Sequence, residues 1–309
     1  SSYSRRTVLV AWPPSKSQSQ TPIQKSKASA PSSPMTRQYA TVAARTIASA
    51  SQVSREAAPM IRWVTAFVDR PADEFAAART FWQRATGTSM SPMRGERDEF
   101  STFLPVGADA CLRLQRLDGG PPGSHLDLHV DDVEAAAGAV MALGATEVSV
   151  RVGLAVVRSP GGLPFCVVAH HGESRRPRPV GRPGARTVVD QVCIDIAPDR
   201  FDEECEFWAA VTGWRLESGR EADYRVLVRP EAMPLRLLLQ RRSDGDRGLP
   251  TRCHLDLACD DVELAARAHE ALGASVRDRR PWWTVMADPA GAEYCLTARS
   301  PDTGRPAAL

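Results

Sequence analysis

The sequence has no apolar run approaching the roughly 18 residues that a membrane-spanning helix needs, so no membrane partner is expected. It has seven cysteines but no CxxC pair. That excludes a zinc ribbon, and the odd count favours free thiols in a reducing compartment over a disulfide framework. A cytoplasmic location is the expectation. GxSxG, P-loop and HExxH patterns are all missing, so the corresponding acyl-transfer, nucleotide and metalloprotease chemistries lack their signatures. Positive charge is scarce where nucleic acid would need it. Residues 1–59 hold eight Lys or Arg against one acid, a net of +7, which leaves −5 on the remainder of a chain of net +2. A body without a basic face is not expected to bind nucleic acid.

What is present is ordinary in bulk: 309 residues, 43% hydrophobic and 25% charged, fit two globular domains. Residues 1–59 differ, being rich in Ser, Pro, Gln and Lys and poor in large apolar side chains. Such a stretch cannot hold a core, and reads as a disordered extension. The same Arg- and Ser-rich, acid-poor composition is also that of a targeting segment, with Tyr39, Val42, Ala43 and Ile47 at helical spacing. Patterned sequence begins abruptly at Met60.

From there the chain repeats itself. HLDLHVDDVEAA at 125–136 returns as HLDLACDDVELAA at 254–266, 129 residues on. ALGA at 142–145 returns at 271–274, SPGG at 159–162 as DPAG at 288–291, and Cys166 as Cys295. Upstream, Phe81-Trp82 and Thr86-Gly87 return 126 residues on as Phe207-Trp208 and Thr212-Gly213, and Leu114-Gln115 returns 125 on as Leu239-Gln240. A period this long indicates duplicated domains rather than a solenoid.

Each copy reads as short strands interrupted by helices. In the first, residues 61–68 form a β-branched, aromatic strand, 72–86 a helix with Phe75, Ala78, Phe81 and Trp82 on one face, and 100–104 and 110–117 two strands. GGPPG at 119–123 is a break, 125–130 a strand, and Asp131-Asp132 caps a helix that Gly144 stops. Three further strands follow at 148–150, 155–158 and 165–170, and the second half repeats the order with strands at 189–196, 224–229, 235–241, 254–259, 283–287 and 293–297 and helices at 201–212 and 261–272. Without a glycine-rich phosphate loop at a strand end, the pattern is α+β rather than a doubly wound sheet. The expected domains are 60–172 and 188–300, joined by an Arg-, Pro- and Gly-rich linker at 173–187 and followed by a tail at 301–309.

Taken in order and twice over, FWQRATG and FWAAVTGW, HLDLxxDDVE, ALGA, and SPGGLPFC and DPAGAEYC make the chain resemble the vicinal oxygen chelate superfamily, specifically its glyoxalase-like domains. The resemblance implies tandem glyoxalase/bleomycin-resistance-like domains, each of two βαβββ modules forming a curved sheet around a pocket. It also implies a divalent metal ion in that pocket, acting as a Lewis acid on a substrate with two adjacent oxygens. Family ligand slots would then fall on Trp63, Gln115, His125 and Cys166 in the first half, and on Gln191, Gln240, His254 and Cys295 in the second.

Those residue types fit a metal poorly. Indole is only a donor, and Cys stands where a carboxylate is expected, which removes the hard oxygen set of Mg or Mn. Three protein ligands are the usual minimum. Hence the expectation is a degenerate metal site, with Gln191, His254 and Cys295 as the candidate ligands if a metal binds. Asp127 and Asp256, two residues after the histidines, share a strand face with them. His254 with Asp256 is therefore a candidate acid–base pair. The expected pocket residues are His125, Asp127, Gln115 and Trp63 in one domain and His254, Gln240, Trp214 and Trp283 in the other, the aromatics suiting an apolar small molecule. The functional expectation is a small-molecule-binding protein, monomer or homodimer. The alternative is a divalent-metal-dependent lyase, isomerase or dioxygenase using the second domain.

Overall fold

A computed structural model describes residues 60–306. The extension read at 1–59 lies outside the described residues, as does the end of the tail. The first half contains β1 (Trp63–Pro71), α1 (Phe75–Ala85), β2 (Ser89–Met90), β3 (Phe100–Leu104), β4 (Leu112–Leu117), β5 (Gly123–Val130), α2 (Val133–Ala142), β6 (Thr146–Arg151), β7 (Leu154–Arg158) and β8 (Pro164–Ala169). The second contains β9 (Thr187–Ile196), α3 (Phe201–Thr212), β10 (Arg215–Ser218), β11 (Tyr224–Val228), β12 (Arg236–Arg241), β13 (Arg252–Cys259), α4 (Val262–Glu270), β14 (Ser275–Arg279), β15 (Trp283–Ala287) and β16 (Glu293–Thr297). Each half is one eight-stranded mixed sheet, with strand orders 2-3-4-1-5-8-7-6 and 10-11-12-9-13-16-15-14. This is the α+β architecture of paired βαβββ modules. Three strands, β2, β10 and β14, were not expected from sequence. They are short edge strands, and β10 and β14 are mostly exposed, so no apolar run marks them.

The central strands β1 and β9 are buried along nearly their whole length, so both faces of each are packed and the sequence is apolar without simple alternation. On β1, Val64, Ala66 and Val68 join the hydrophobic core. Thr65, Phe67 and Asp69 point the other way and meet His129 and His125 of β5. The register is antiparallel, pairing Thr65 with Asp127 and Phe67 with His125. In the second half Gln191 pairs with Asp256 and Cys193 with His254. The expected caps form, but with only one Asp of each pair. Asp132 accepts from Ala135 N and Asp261 from Leu264 N, while Asp260 holds Arg186 instead. Gly144 and Gly273 follow the two helices with φ of 111° and 105°, a conformation that explains glycine at both ALGA motifs.

The halves share one hydrophobic core. Helix α1 reaches across to the second half, where Phe81 and Trp82 pack on Tyr294 of β16 and Phe81 also on His269 of α4. Helix α3 does the reciprocal, packing Phe207 and Trp208 on Phe165 of β8. Ser124 and Cys253, which are repeat equivalents, meet through a Cys253 Sγ to Ser124 O contact of 3.2 Å, as a pseudo-twofold relation requires.

A buried carboxylate stands at each crossing. Asp288 accepts from Trp82 Nε1 at 2.8 Å and from Arg70 Nε and Nη2 at 2.8 and 2.6 Å, with both ion-pair side chains at most 2% exposed. At the other crossing the carboxylate sits on the helix. Glu204 accepts from Trp208 Nε1 at 2.9 Å and from Gly161 N at 2.6 Å. Ala78 and Ser159 occupy the positions complementary to Glu204 and Asp288 at the repeat spacing, so each crossing has one carboxylate and not two. Removing one partner of a buried pair leaves the other charge unpaired, at a cost of about 3–5 kcal/mol. Asp288→Ala is therefore expected to lower stability by that order, measured by denaturant unfolding. Both halves should still unfold in one transition. Separate transitions for the two halves would contradict the shared core.

Candidate functional site

The concave face of the second sheet carries the site. Gln191 and Cys193 come from β9, Tyr224 and Val226 from β11, Leu238 and Gln240 from β12, His254 and Asp256 from β13, and Cys295 from β16. Trp282, Trp283 and Arg220 form part of the rim, with Arg220 4.9 Å over the Trp282 ring. Together these surround about 970 Å³ of open space, the mouth included. Alternation along the strands puts residues two apart on this one face.

His254 is the centre of the polar network. Its Nδ1 lies 3.0 Å from Asp195 Oδ2, and its Nε2 lies 3.2 Å from Asp256 Oδ1 and 3.5 Å from Cys295 Sγ. Burial opposes charge on the ring most strongly, but Asp195, through its charge and its hydrogen bond, together with the flanking Cys193 and Cys295 raises the imidazole pKa well above its ordinary value. Asp195, opposed by its own burial, is in turn held below the usual carboxylate range by that imidazolium. Burial pushes the Cys295 thiol up, so sulfur keeps its proton. Gln191 is fully engaged: its Nε2 donates to Asp256 Oδ2 at 2.5 Å and its Oε1 accepts from Arg299, which is paired with Asp190. Gln240 accepts from the Cys193 thiol at 3.3 Å.

The structure thus brings Gln191, Gln240, His254, Asp256, Cys295 and Trp283 to one cavity. Two expected pocket residues belong elsewhere. Trp214 is buried in the core. Trp63 is also fully buried in the core, with its indole donating to Ala110 O at 3.0 Å. The reason is register: the 126-residue spacing of this segment pairs Gln191 with Thr65, whereas Trp63 corresponds to Val189. That same spacing aligns Asp69 with Asp195, the pair that sequence reasoning missed. Both are buried aspartates that hold the histidine Nδ1, at 2.6 Å to His125 and 3.0 Å to His254.

The first sheet repeats the layout and fills it. His125, Asp127 and Cys166 stand together, and Gln115 is buried in register with Asp69. Phe67 stacks on His125 with ring centroids 4.3 Å apart, and Arg113 lies 5.8 Å over Phe67 and 3.3 Å from Asp127. The equivalent residues in the second half are the smaller Cys193 and Leu238. Those two exchanges open one cup and occupy the other.

A metal at the inherited position would need ligands with free lone pairs. His254, Asp256 and Cys295 offer three atoms within 4.8 Å of one another. Yet the flanking carboxylates favour the protonated imidazole, burial favours the protonated thiol, and Gln191 is committed to Asp256 and Arg299. The donor set as folded suits protons better than a hard cation.

A family model described as a glyoxalase-like domain matches residues 65–168 and 191–297. No curated protein sequence matches the chain. Among solved structures, 2,2',3-trihydroxybiphenyl 1,2-dioxygenase from Sphingomonas wittichii RW1 is similar with a TM-score of 0.53 at 16% identity, over 78% of this chain and 90% of that one. A mutant of 4-hydroxymandelate synthase from Streptomyces coelicolor gives 0.52 at 15%, over 78% and 94%. The 2,3-dioxygenase LapB from Pseudomonas sp. KL28 gives 0.51 at 13%, over 78% and 91%. These likenesses establish a shared fold.

A histidine whose pKa is raised on folding adds stability that is complete below its unfolded value of about 6.5 and disappears as pH rises through the folded value. The stability gap between the wild type and His254→Asn is therefore expected to shrink with rising alkalinity. By NMR, His254 should titrate above 6.5 and Asp195→Asn should move it down. His269, by contrast, is held down to about 4 by burial and should stay neutral to that pH.

Proposed function

Because the chain belongs to the glyoxalase-like domain family, we propose that its second domain binds a small organic molecule in the His254 cavity without a metal at the family's position. The observation that carries this reading is the His254 ring, held between the Asp195 and Asp256 carboxylates at the floor of a cavity bordered by Trp282 and Trp283. Such a site suits a ligand with a planar apolar body and a hydroxyl or carboxylate head. The head would take a charge-assisted hydrogen bond from the floor while the aromatic rim covers the body. The first cup, filled by Phe67 and Arg113, is assigned a supporting role. Seven buried free thiols support a reducing cytoplasm as its location. Among the described residues no helix is long and apolar enough to cross a membrane.

A second reading, a metal-dependent enzyme, draws on the closeness of His254, Asp256 and Cys295. It requires a cation to displace two protons.

Tryptophan fluorescence and thermal shift with benzoate, catechol and protocatechuate distinguish these. On the proposed reading at least one probe binds, and His254→Asn weakens it about tenfold or more, the scale of a lost hydrogen bond to a charged group. Trp283→Ala should also weaken it, and His125→Asn should leave it unchanged. Chelator should not alter the affinity. Binding that vanishes with chelator would favour the enzyme reading, and affinity indifferent to His254→Asn would end the proposal.

A further inference from the structure

A second group of side chains stands outside the His254 cavity, at the other end of the first sheet. His129 lies near the end of β5, on the same face as His125 and Asp127. His170 and Glu173 follow β8 directly. One ligand atom from each of the three lies within 4.8 Å of the others. His170 Nδ1 is 3.2 Å from Glu173 Oε2, and His129 Nδ1 is 3.8 Å from Glu173 Oε1.

The hydrogen bonding around this group is incomplete. His129 is fully buried, and its Nε2 is used by Thr65 Oγ1 at 2.9 Å. Its Nδ1 has no hydrogen-bond partner, and neither has the buried Nδ1 of His170. A buried polar atom left unpaired is costly, and here two of them converge on one carboxylate. Thr65 Oγ1 occupies Nε2 of His129, so Nδ1 is the ring nitrogen left toward the Glu173 carboxylate. Two imidazole nitrogens and a carboxylate that converge in a largely buried place form a donor set for a cation.

The local backbone serves this arrangement. Gly172, at φ 97°, lets the chain fold back within three residues so that Glu173 returns to His170. Glu173 is steadied by His171 N at 2.9 Å. The second half has nothing of the kind. At the repeat spacing, Ala258 replaces His129 and Arg299 replaces His170. There Arg299 brings its own positive charge and pairs with Asp190 at 2.7 Å. One half carries a built-in cation at this position, and the other carries two imidazole nitrogens and a carboxylate.

We propose that His129 Nδ1, His170 Nδ1 and the Glu173 carboxylate form a site for a zinc-class divalent ion in the first domain. Two imidazoles and one carboxylate are a borderline-soft, tetrahedral donor set that leaves the fourth position open to water or a ligand oxygen. The Thr65 hydroxyl supplies an outer contact to His129 Nε2 that orients the ring. This site is independent of the His254 cavity and does not rest on its reading.

The test uses the full chain stripped with chelator and titrated with Zn²⁺ by calorimetry, then with Co²⁺ by absorption. One equivalent of Zn²⁺ should bind. His170→Gln and Glu173→Gln, both at partly exposed positions, should each weaken it about a hundredfold or abolish it, with unchanged circular dichroism. His254→Asn should bind as the wild type does. Each of the three other clusters of metal-ligating residues among the described residues includes a cysteine, so Co²⁺ in the proposed site should show d–d bands without sulfur-to-metal charge transfer. Absence of Zn²⁺ binding, binding that survives both glutamine variants, or a thiolate charge-transfer band would each overturn the assignment.

Discussion

The structure depends on two buried carboxylates that tie each half to the helix of the other. Asp288 receives Trp82 and Arg70 from the first half, and Glu204 with Trp208 receives the Gly161 turn. Burying a carboxylate is costly unless its oxygens are satisfied, and these are satisfied by groups from both halves at once. Neither helix could present its aromatic face to solvent, so α1 and α3 find their cover only in the tandem arrangement. The asymmetry of the two crossings follows from charge. With Arg70 present, Asp288 forms an ion pair. Arg70 has Ile196 as its counterpart, and the carboxylate at that crossing is Glu204, whose pKa burial raises.

Fixing the helices on one face of each sheet frees the other face for chemistry. The inward positions of β1, β4 and β5 recur in β9, β12 and β13, yet the contents differ. Phe67 and Arg113 fill one cup, while Cys193 and Leu238 leave the other open. The acid–histidine pair at the base survives in both, Asp69 with His125 and Asp195 with His254. This implies that the pair serves the sheet as well as any ligand. It satisfies an imidazole nitrogen that the central strands bury whatever fills the space above it.

Much of this was legible in the sequence because duplication supplies its own control. HLDL and DDVE gave the strand, the cap and the helix in both copies, and Asp132 and Asp261 cap as their spacing indicated. The aromatic face of α1 was legible too, though not that its partner lies in the other half, since periodicity reports an apolar face and not what covers it. Strict register decides the position that Trp63 was expected to fill: the chain's own 126-residue spacing matches Gln191 with Thr65. A residue two places along a strand stays on the same face, so Trp63 shares the face of Thr65 and yet serves as an apolar anchor in the core, its indole held by Ala110 O. Asp69 reads as a turn residue closing its strand, and Asp195, inside the strand at 189–196, has no local partner to mark it. Only the antiparallel pairing of β1 with β5 and β9 with β13 places them against histidines distant in sequence.

The position of charge explains why two related cups can diverge without unfolding the protein. In the second, Asp195, Asp256 and Asp190 are met by an imidazolium and by Arg299, so the floor is balanced by groups that belong to it. In the first, Arg113 moves in to answer Asp127, and stacking on Phe67 removes the space a ligand would use. Both solutions obey one constraint: an acid on a buried sheet face must find a positive partner or a proton. Where the partner is a side chain that fills the cup, the site is structural. Where it is a histidine at the floor, held between Asp195 and Asp256, the space above it stays open.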